Sequence, residues 1–302
     1  MEKFQKVIAI DPVALTEWGR KEILSSCRSF QIYADLPRDN AEIIRRIGDA
    51  DAVLLSSNAR IDREVLLACP DLRYVGMCCS LYSEESANVD IPCARERGIL
   101  VKGIRDYGDR GVVEYVLWQL VDLLHGYSRE AFYGAPSEIT GLKVGFVGFG
   151  TSGRMTADAL QAFGAEIFYY ARSRKENAEA GGMHDLPLHE LLAQSDVIIT
   201  CLNKNVILLH EKEFQKIGSG KIMINTSIGP ASDMEPLFRW IQDPRNIFCC
   251  DTRAALGPIA DQALALPNVR CRYASAGMTR QAYDLLSKKV LDNMKAALRE
   301  LS

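Results

Sequence analysis

The residues Gly148-x-Gly150-x-x-Gly153, in the run VGFGTSGR, have the spacing that cradles a pyrophosphate. They follow the apolar run KVGFV and open a helical pattern. Gly148 permits a tight turn, Gly150 lets the backbone approach a phosphate, and Gly153 lets helix and strand pack closely. Thr151 and Ser152 fall in the first helical turn, where free N–H groups suit an anion. The next strand-like run, EIFYYA, leads into RSRKE. A carboxylate at this point would hold the ribose 2′-hydroxyl of NAD. The chain offers Ala171, Arg172, Ser173, Arg174 and Lys175 instead, cations and a hydroxyl that suit a 2′-phosphate. NADP is therefore the expected cofactor, with NAD as the alternative. A charge run without this placement would be read as a solvated loop.

A second stretch raises the question of chemistry. Residues 224–230 read INTSIGP, an apolar strand running into small polar residues and a turn. Strand ends are where such folds place reacting groups, yet the side chain here is Ile228, which neither binds an anion nor moves a proton. The four histidines, His125, His184, His189 and His210, fall at no strand end facing this place. The nine cysteines are odd in number and irregularly spaced. Cys201, Cys249, Cys250 and Cys271 lie in apolar strand-like runs and read as reduced, buried thiols. Cys78 and Cys79 are expected in a loop, with no histidine or second cysteine pair beside them to make a metal site.

The elements that must position these residues follow from periodicity. In the first hundred residues the apolar runs 6–10, 30–34, 52–57, 73–77 and 99–104 alternate with helical patterns at 12–26, 40–48, 62–69 and 88–97. Asp11-Pro12 is expected to start the first helix. A long apolar helix is expected at 109–126, followed by a linker over 127–141. Strands then recur at 143–150, 166–171, 196–202, 221–227, 246–251 and 269–274, and a helix from Thr279 closes the chain. Continuous apolar strands alternating with helices specify an α/β protein with two doubly wound parallel-sheet domains, Rossmann-like or flavodoxin-like. Apolar residues make up 48% and charged residues 25% of the 302, with a net charge of −3. That balance gives no reason to expect nucleic acid or a membrane surface as a partner. The N-terminus lacks the apolar core of a signal peptide, so the expected location is the cytoplasm.

With these segments placed, the chain resembles the D-2-hydroxyacid dehydrogenases. The resemblance is carried by NVDIPCARERGILV, GDRGVVEYVLWQLVDLL, GLKVGFVGFGTSGR, LHELLAQSDVIIT, KIMINTSIGP, NIFCCD and NVRCRYASAGMTRQA, in the family's order from about residue 50 to 300. It implies a discontinuous substrate domain (1–103 with 279–302) around a dinucleotide-binding domain (104–278), and a homodimer. It also implies that Asp251 holds the nicotinamide carboxamide and that Cys201, Leu202, Asn203 and Thr226 line the dinucleotide. The family's reaction is hydride transfer at C2 of a 2-keto or 2-hydroxy acid, assisted by an arginine and by a histidine poised by a glutamate. The corresponding positions here hold Ile228, Ala274 and Leu256. The substrate loop of the family matches CCSLYSEESANVD, residues 78–90, which carries Glu84 and Glu85. Arg105 and Tyr273 are the candidate replacements for the lost groups, beside the less favoured Arg253, Arg272, Tyr82 and Tyr107.

Two functions follow as expectations. One is an NADP-preferring oxidoreductase acting on a small carbonyl or hydroxy compound with a non-standard catalytic set. The other is an inactive NADP-binding sensor or partner-binding module, motivated by the joint loss of three interdependent residues.

Overall fold

The computed structural model describes residues 3–204 and 206–302, which form two compact units. One comprises the chain up to Tyr107 together with Thr279–Ser302; the other is Gly108–Met278.

The first unit runs β1 (Phe4–Ala9), α1 (Glu17–Ser26), β2 (Cys27–Ile32), α2 (Asn40–Ile47), β3 (Ala52–Leu55), α3 (Arg63–Ala68), β4 (Tyr74–Ser80), α4 (Ile91–Glu96) and β5 (Leu100–Ile104). Its parallel sheet has the order β2-β1-β3-β4-β5. Alternate residues feed opposite faces, as a two-residue period requires. Val7, Ala9 and Leu54 pack against Ile23 of α1 on one face, whereas Ile8, Ile10, Val53 and Leu55 pack under α2, α3 and α4 on the other. The C-terminal helix, numbered last below, returns to the first face with Leu286, Val290, Met294 and Ala297. Burying such a side chain contributes about 1.5–3 kcal/mol, so this stripe anchors the chain end.

Three local expectations are corrected here. The first helix starts at Glu17, capped by Thr16, whose hydroxyl accepts the Gly19 N–H at 3.2 Å. Asp11 is fully buried and accepts from the Ser56 N–H at 2.8 Å and from its hydroxyl. A bond between neighbouring strand ends outcompetes the local helix-start signal of Asp-Pro. Cys78 and Cys79 lie in β4 rather than in a loop, both buried, because the apolar run of this central strand continues through them. The second strand occupies 27–32 instead of 30–34, in register with β1 through Phe4–Cys27 and Ala9–Ile32.

The second unit begins with α5 (Asp109–His125) and continues β6 (Lys143–Val147), α6 (Thr151–Ala162), β7 (Glu166–Tyr170), α7 (Glu176–Glu179), β8 (His184–Asp185), α8 (Leu188–Gln194) and β9 (Val197–Thr200). There follow α9 (Glu211–Ile217), β10 (Ile222–Asn225), α10 (Met234–Ile241), β11 (Ile247–Cys250), a 3₁₀ segment (Arg253–Ile259), α11 (Ala260–Leu264) and β12 (Val269–Cys271). The chain-closing α12 (Arg280–Leu301) belongs to the first unit. The sheet order β12-β11-β10-β9-β6-β7-β8 is parallel throughout and reverses direction between β6 and β9. Ligand crevices in open α/β sheets form outside the strand ends at such a switch point. Residues 127–141, expected as a linker, lie within this unit and are partly packed, with Phe132 N–H bonded to the Leu123 carbonyl at 2.9 Å and Ile139 buried. Two apolar side chains in an otherwise turn-rich stretch are enough to fold it back along α5. Among the described residues no helix is long and apolar enough to cross a membrane.

Candidate functional site

The glycine turn sits at the switch point, between the end of β6 and the start of α6. Gly148 adopts φ +91°, and a Cβ there would lie 2.6 Å from the Cys201 carbonyl oxygen. No other residue fits. A Cβ on Gly153 would lie 3.0 Å from the Gly148 carbonyl oxygen, so its absence allows the close approach of helix and strand. Gly150 differs: nothing lies within 4 Å of where its Cβ would be. It is the N-cap of α6 without a side-chain cap bond, so bare backbone N–H groups border open space. That is the cradle a pyrophosphate needs, and the donor set fits a dinucleotide. The Thr151 side chain is exposed, while the Ser152 hydroxyl donates to Asp109 of α5.

At the end of β7 the predicted 2′ pocket is only partly free. Arg174 forks onto Glu179, its Nε lying 2.6 and 2.8 Å from the two carboxylate oxygens and its Nη2 completing the pair. This fork holds Glu179 below the usual carboxylate range. Arg174 thus faces an acid that its neighbours in the sequence do not announce. Arg172 and Ser173 are exposed, and Lys175 Nζ donates to Ser173 Oγ at 2.9 Å. Ala171 packs partly against the core beside α5 and α6.

Polar side chains lock the ends of β9 and β10 together. Buried Asn225 accepts from Thr200 Oγ1 and from the Ser227 N–H, both at 2.8 Å, and its Nδ2 donates to the Gly229 carbonyl at 3.0 Å. Ser227 Oγ in turn accepts the Leu202 N–H at 2.8 Å. Cys201 Sγ lies 3.2 Å from Thr226 Oγ1, and burial pushes its thiol up to about 11. Asn203 is half-buried just beyond. The turn is therefore rigid, and the side chain it presents is Ile228, 56% exposed.

Asp251 organises the next segment from the end of β11. It is 6% exposed, and burial raises its carboxyl above the ordinary value despite the Ala276 N–H that donates to Oδ2 at 2.8 Å. Its carbonyl accepts the Ala274 N–H at 2.9 Å. Ala274 is exposed, and Tyr273 beside it is 66% exposed with φ +64°, an uncommon conformation for an aromatic residue. Leu256 is a different matter. It is fully buried in the core with Leu237, Phe248 and Ala260, so this position presents nothing to a ligand.

The candidate cations are mostly engaged. Arg253 pairs with Asp261 at 2.6 Å, and Arg272 reaches the Ser275 carbonyl at 3.4 Å. Arg105 belongs to the first unit, where it donates to the Leu81 and Tyr82 carbonyls at 2.6 and 3.0 Å. The histidines are also committed elsewhere: His189 to Glu213 at 2.7 Å, His210 to Asp233 at 2.9 Å, His125 stacked on Tyr127, and His184 against the Phe168 ring at 5.8 Å. Among the described residues no group of three or more His, Cys, Asp or Glu is arranged to hold a metal.

Sequence reasoning missed the residues that support the site. Glu179, Asn225 and Ser227 carry the hydrogen bonds just described, and the Tyr169 hydroxyl accepts the Lys175 N–H at 2.8 Å, but all four lie in ordinary strand, helix and turn patterns. Phe149, between two of the motif glycines, and Asn225 and Ser227, inside INTSIGP, had positions that pointed to the site.

A family model described as "D-isomer specific 2-hydroxyacid dehydrogenase, NAD binding domain" matches residues 122–271. The chain is 28% identical to a hydroxypyruvate reductase of Blautia hydrogenotrophica over 248 residues, covering 74% of this chain and 75% of that protein. It is 27% identical to a glyoxylate reductase of Thermofilum pendens over 228 residues, covering 69% and 66%. Among solved structures, an acyclic imino acid reductase (Bsp5) in complex with NADPH and D-Arg superposes with a TM-score of 0.83 at 22% identity, covering 98% of each chain. At that identity the likeness concerns the fold.

Proposed function

This chain belongs to the D-isomer-specific 2-hydroxyacid dehydrogenase family, and on that premise we propose an NADP-preferring oxidoreductase whose substrate is a small carbonyl compound without a carboxylate beside the carbonyl. One observation carries the substrate reading: a rigid strand-end turn presents Ile228, 56% exposed, where the family's arginine would stand. A branched aliphatic side chain offers a carboxylate no counter-charge and favours an apolar substituent.

Gly148, Gly150 and Gly153 with the first turn of α6 hold the pyrophosphate; Arg172, Ser173 and Lys175 hold the 2′-phosphate; Asp251 holds the carboxamide. A nicotinamide dinucleotide supplies a hydride when bound. Tyr273 Oη gives the proton to the substrate's carbonyl oxygen, replacing the histidine that Ala274 lacks. Its exposure and φ of +64° motivate this role, since backbone strain of this kind costs energy and clusters at functional sites. In a screen of NADPH oxidation, neutral aldehydes and ketones should outperform 2-keto acids. Tyr273→Phe should lower kcat about 10²-fold or more, the usual scale of a general acid. Turnover of 2-keto acids alone would overturn the reading. Tight NADPH binding without turnover of any compound would favour the sensor.

A second reading has its own support. Neither Ile228 nor Ala274 supplies a cation or a proton, and a protonated imine needs neither, because its nitrogen already carries the proton and would be repelled by an arginine. The imino acid reductase of similar fold is named for that chemistry. NADPH oxidation that requires an amine together with the carbonyl compound would favour this reading.

A further inference from the structure

We infer that Tyr169, together with Glu179, sets the preference of this site for a 2′-phosphorylated dinucleotide; the inference rests on the NADP reading above. Tyr169 is fully buried in β7, and its ring stacks on Phe149 at 4.3 Å with a 19° interplanar angle. Phe149 lies between Gly148 and Gly150, so the ring is packed against the phosphate turn. The hydroxyl of the same residue reaches the loop after the strand. It accepts the Lys175 N–H at 2.8 Å and donates to Glu179 Oε1 at 3.1 Å. One side chain therefore fixes the loop at Lys175 and ties it to the glycine turn.

Glu179 has the complementary task. Its carboxylate takes the Arg174 fork, and the two residues line a groove with Glu166, Phe168, His184 and Asp185 that includes none of the motif glycines. Arg174 is thereby neutralised and turned aside. Arg172 and Lys175 are left as the cations of the loop, and neither is paired with a carboxylate among the described residues. A phosphate needs those two groups and Ser173 at fixed positions, because charge-assisted bonds are strongly directional. A bare 2′-hydroxyl does not. Loss of the Tyr169 hydroxyl frees the loop at Lys175, while Glu179 keeps its Arg174 fork, and this harms only the phosphorylated ligand. A merely structural role for Tyr169 would weaken both cofactors alike.

The test uses the full chain and calorimetric titration with NADPH, NADH, 2′,5′-ADP and 5′-AMP; the last two isolate the adenosine end. Wild type should prefer NADPH over NADH and 2′,5′-ADP over 5′-AMP. Tyr169→Phe should lose about tenfold in affinity for the phosphorylated member of each pair and stay within about twofold for the other. A thermal melt checks that the variant is folded. Equal loss for both members, or no loss, overturns the inference. Glu179→Gln keeps an acceptor for Tyr169 but releases Arg174, and should raise the NADPH:NADH affinity ratio about threefold; an unchanged or lower ratio also counts against it. If wild type binds NADH at least as well as NADPH, the NADP reading fails and the inference with it. If wild type prefers NADPH, and Arg172→Ala but not Tyr169→Phe erodes that preference, the NADP reading stands and the role of Tyr169 is refuted.

Discussion

The resemblance implies that Ile228, Ala274 and Leu256 stand at the family's three reacting positions, and the structure makes the three unequal. Ile228 and Ala274 are exposed at strand ends of the second unit, so a polar side chain placed there would meet solvent or ligand. Leu256 is sealed among Leu237, Phe248 and Ala260. Restoring the lost chemistry should therefore succeed only in part. The double variant Ile228→Arg and Ala274→His should remain folded and gain measurable 2-keto acid reduction from a near-zero baseline in an NADPH oxidation assay. Leu256→Glu should not add to it. An unpaired carboxylate in that core costs about 3–5 kcal/mol, so the melting midpoint should fall by roughly 10 °C. An unchanged midpoint would mean that the segment around Leu256 can turn outward.

At the scale of elements, the β6–α6 connection separates what folding requires from what binding requires. Gly148 is needed by the fold, since its φ of +91° and the Cys201 carbonyl leave no room for a Cβ. Gly150 is needed only by a ligand, since the space beside it is open. Gly148→Ala should lower the melting midpoint by several degrees, in line with a strained left-handed residue and a backbone clash costing on the order of 1–3 kcal/mol. Gly150→Ala should leave the midpoint nearly unchanged while weakening binding of both NADPH and NADH. Equal destabilisation by the two substitutions would contradict this division of labour.

Across the whole molecule, half-buried carboxylates held by cations and N–H groups bias stability against acid. The Arg38 N–H, then Arg46, hold Glu42 at about 2, below its ordinary 4.5. Arg245 and Ser219 hold Asp243 low in the same way, and Arg174 holds Glu179 low. A depressed carboxyl value in the folded state contributes stability that is present above the unfolded value and lost as pH falls through the folded one. Asp11 and Asp251 act in the opposite sense, since burial raises both and their contribution declines as pH rises through the raised values. The depressed groups are more numerous, so the melting midpoint should fall as pH is lowered from about 4.5 to 2. A midpoint that rises over that interval would show that the buried pair dominates.

The sequence by itself determined the two parallel sheets, the glycine turn after β6 and the apolar residue type at Ile228. These are local properties: a period of two or 3.6, a glycine spacing, or a residue type at a strand end can be read without knowing what lies nearby. Tertiary structure decided what depends on contacts between segments. It took Asp11 from a helix start to a buried partner of Ser56, and Cys78 and Cys79 from a loop to a central strand. It placed Leu256 in the core and set Glu179 on Arg174. It also joined Tyr169 to Phe149 and Lys175, residues drawn together only when β7 pairs with β6 and the loop after it folds back over the strand end. Hydrogen bonds and burial act through space, so their partners are fixed by the packing of strands and helices rather than by position along the chain.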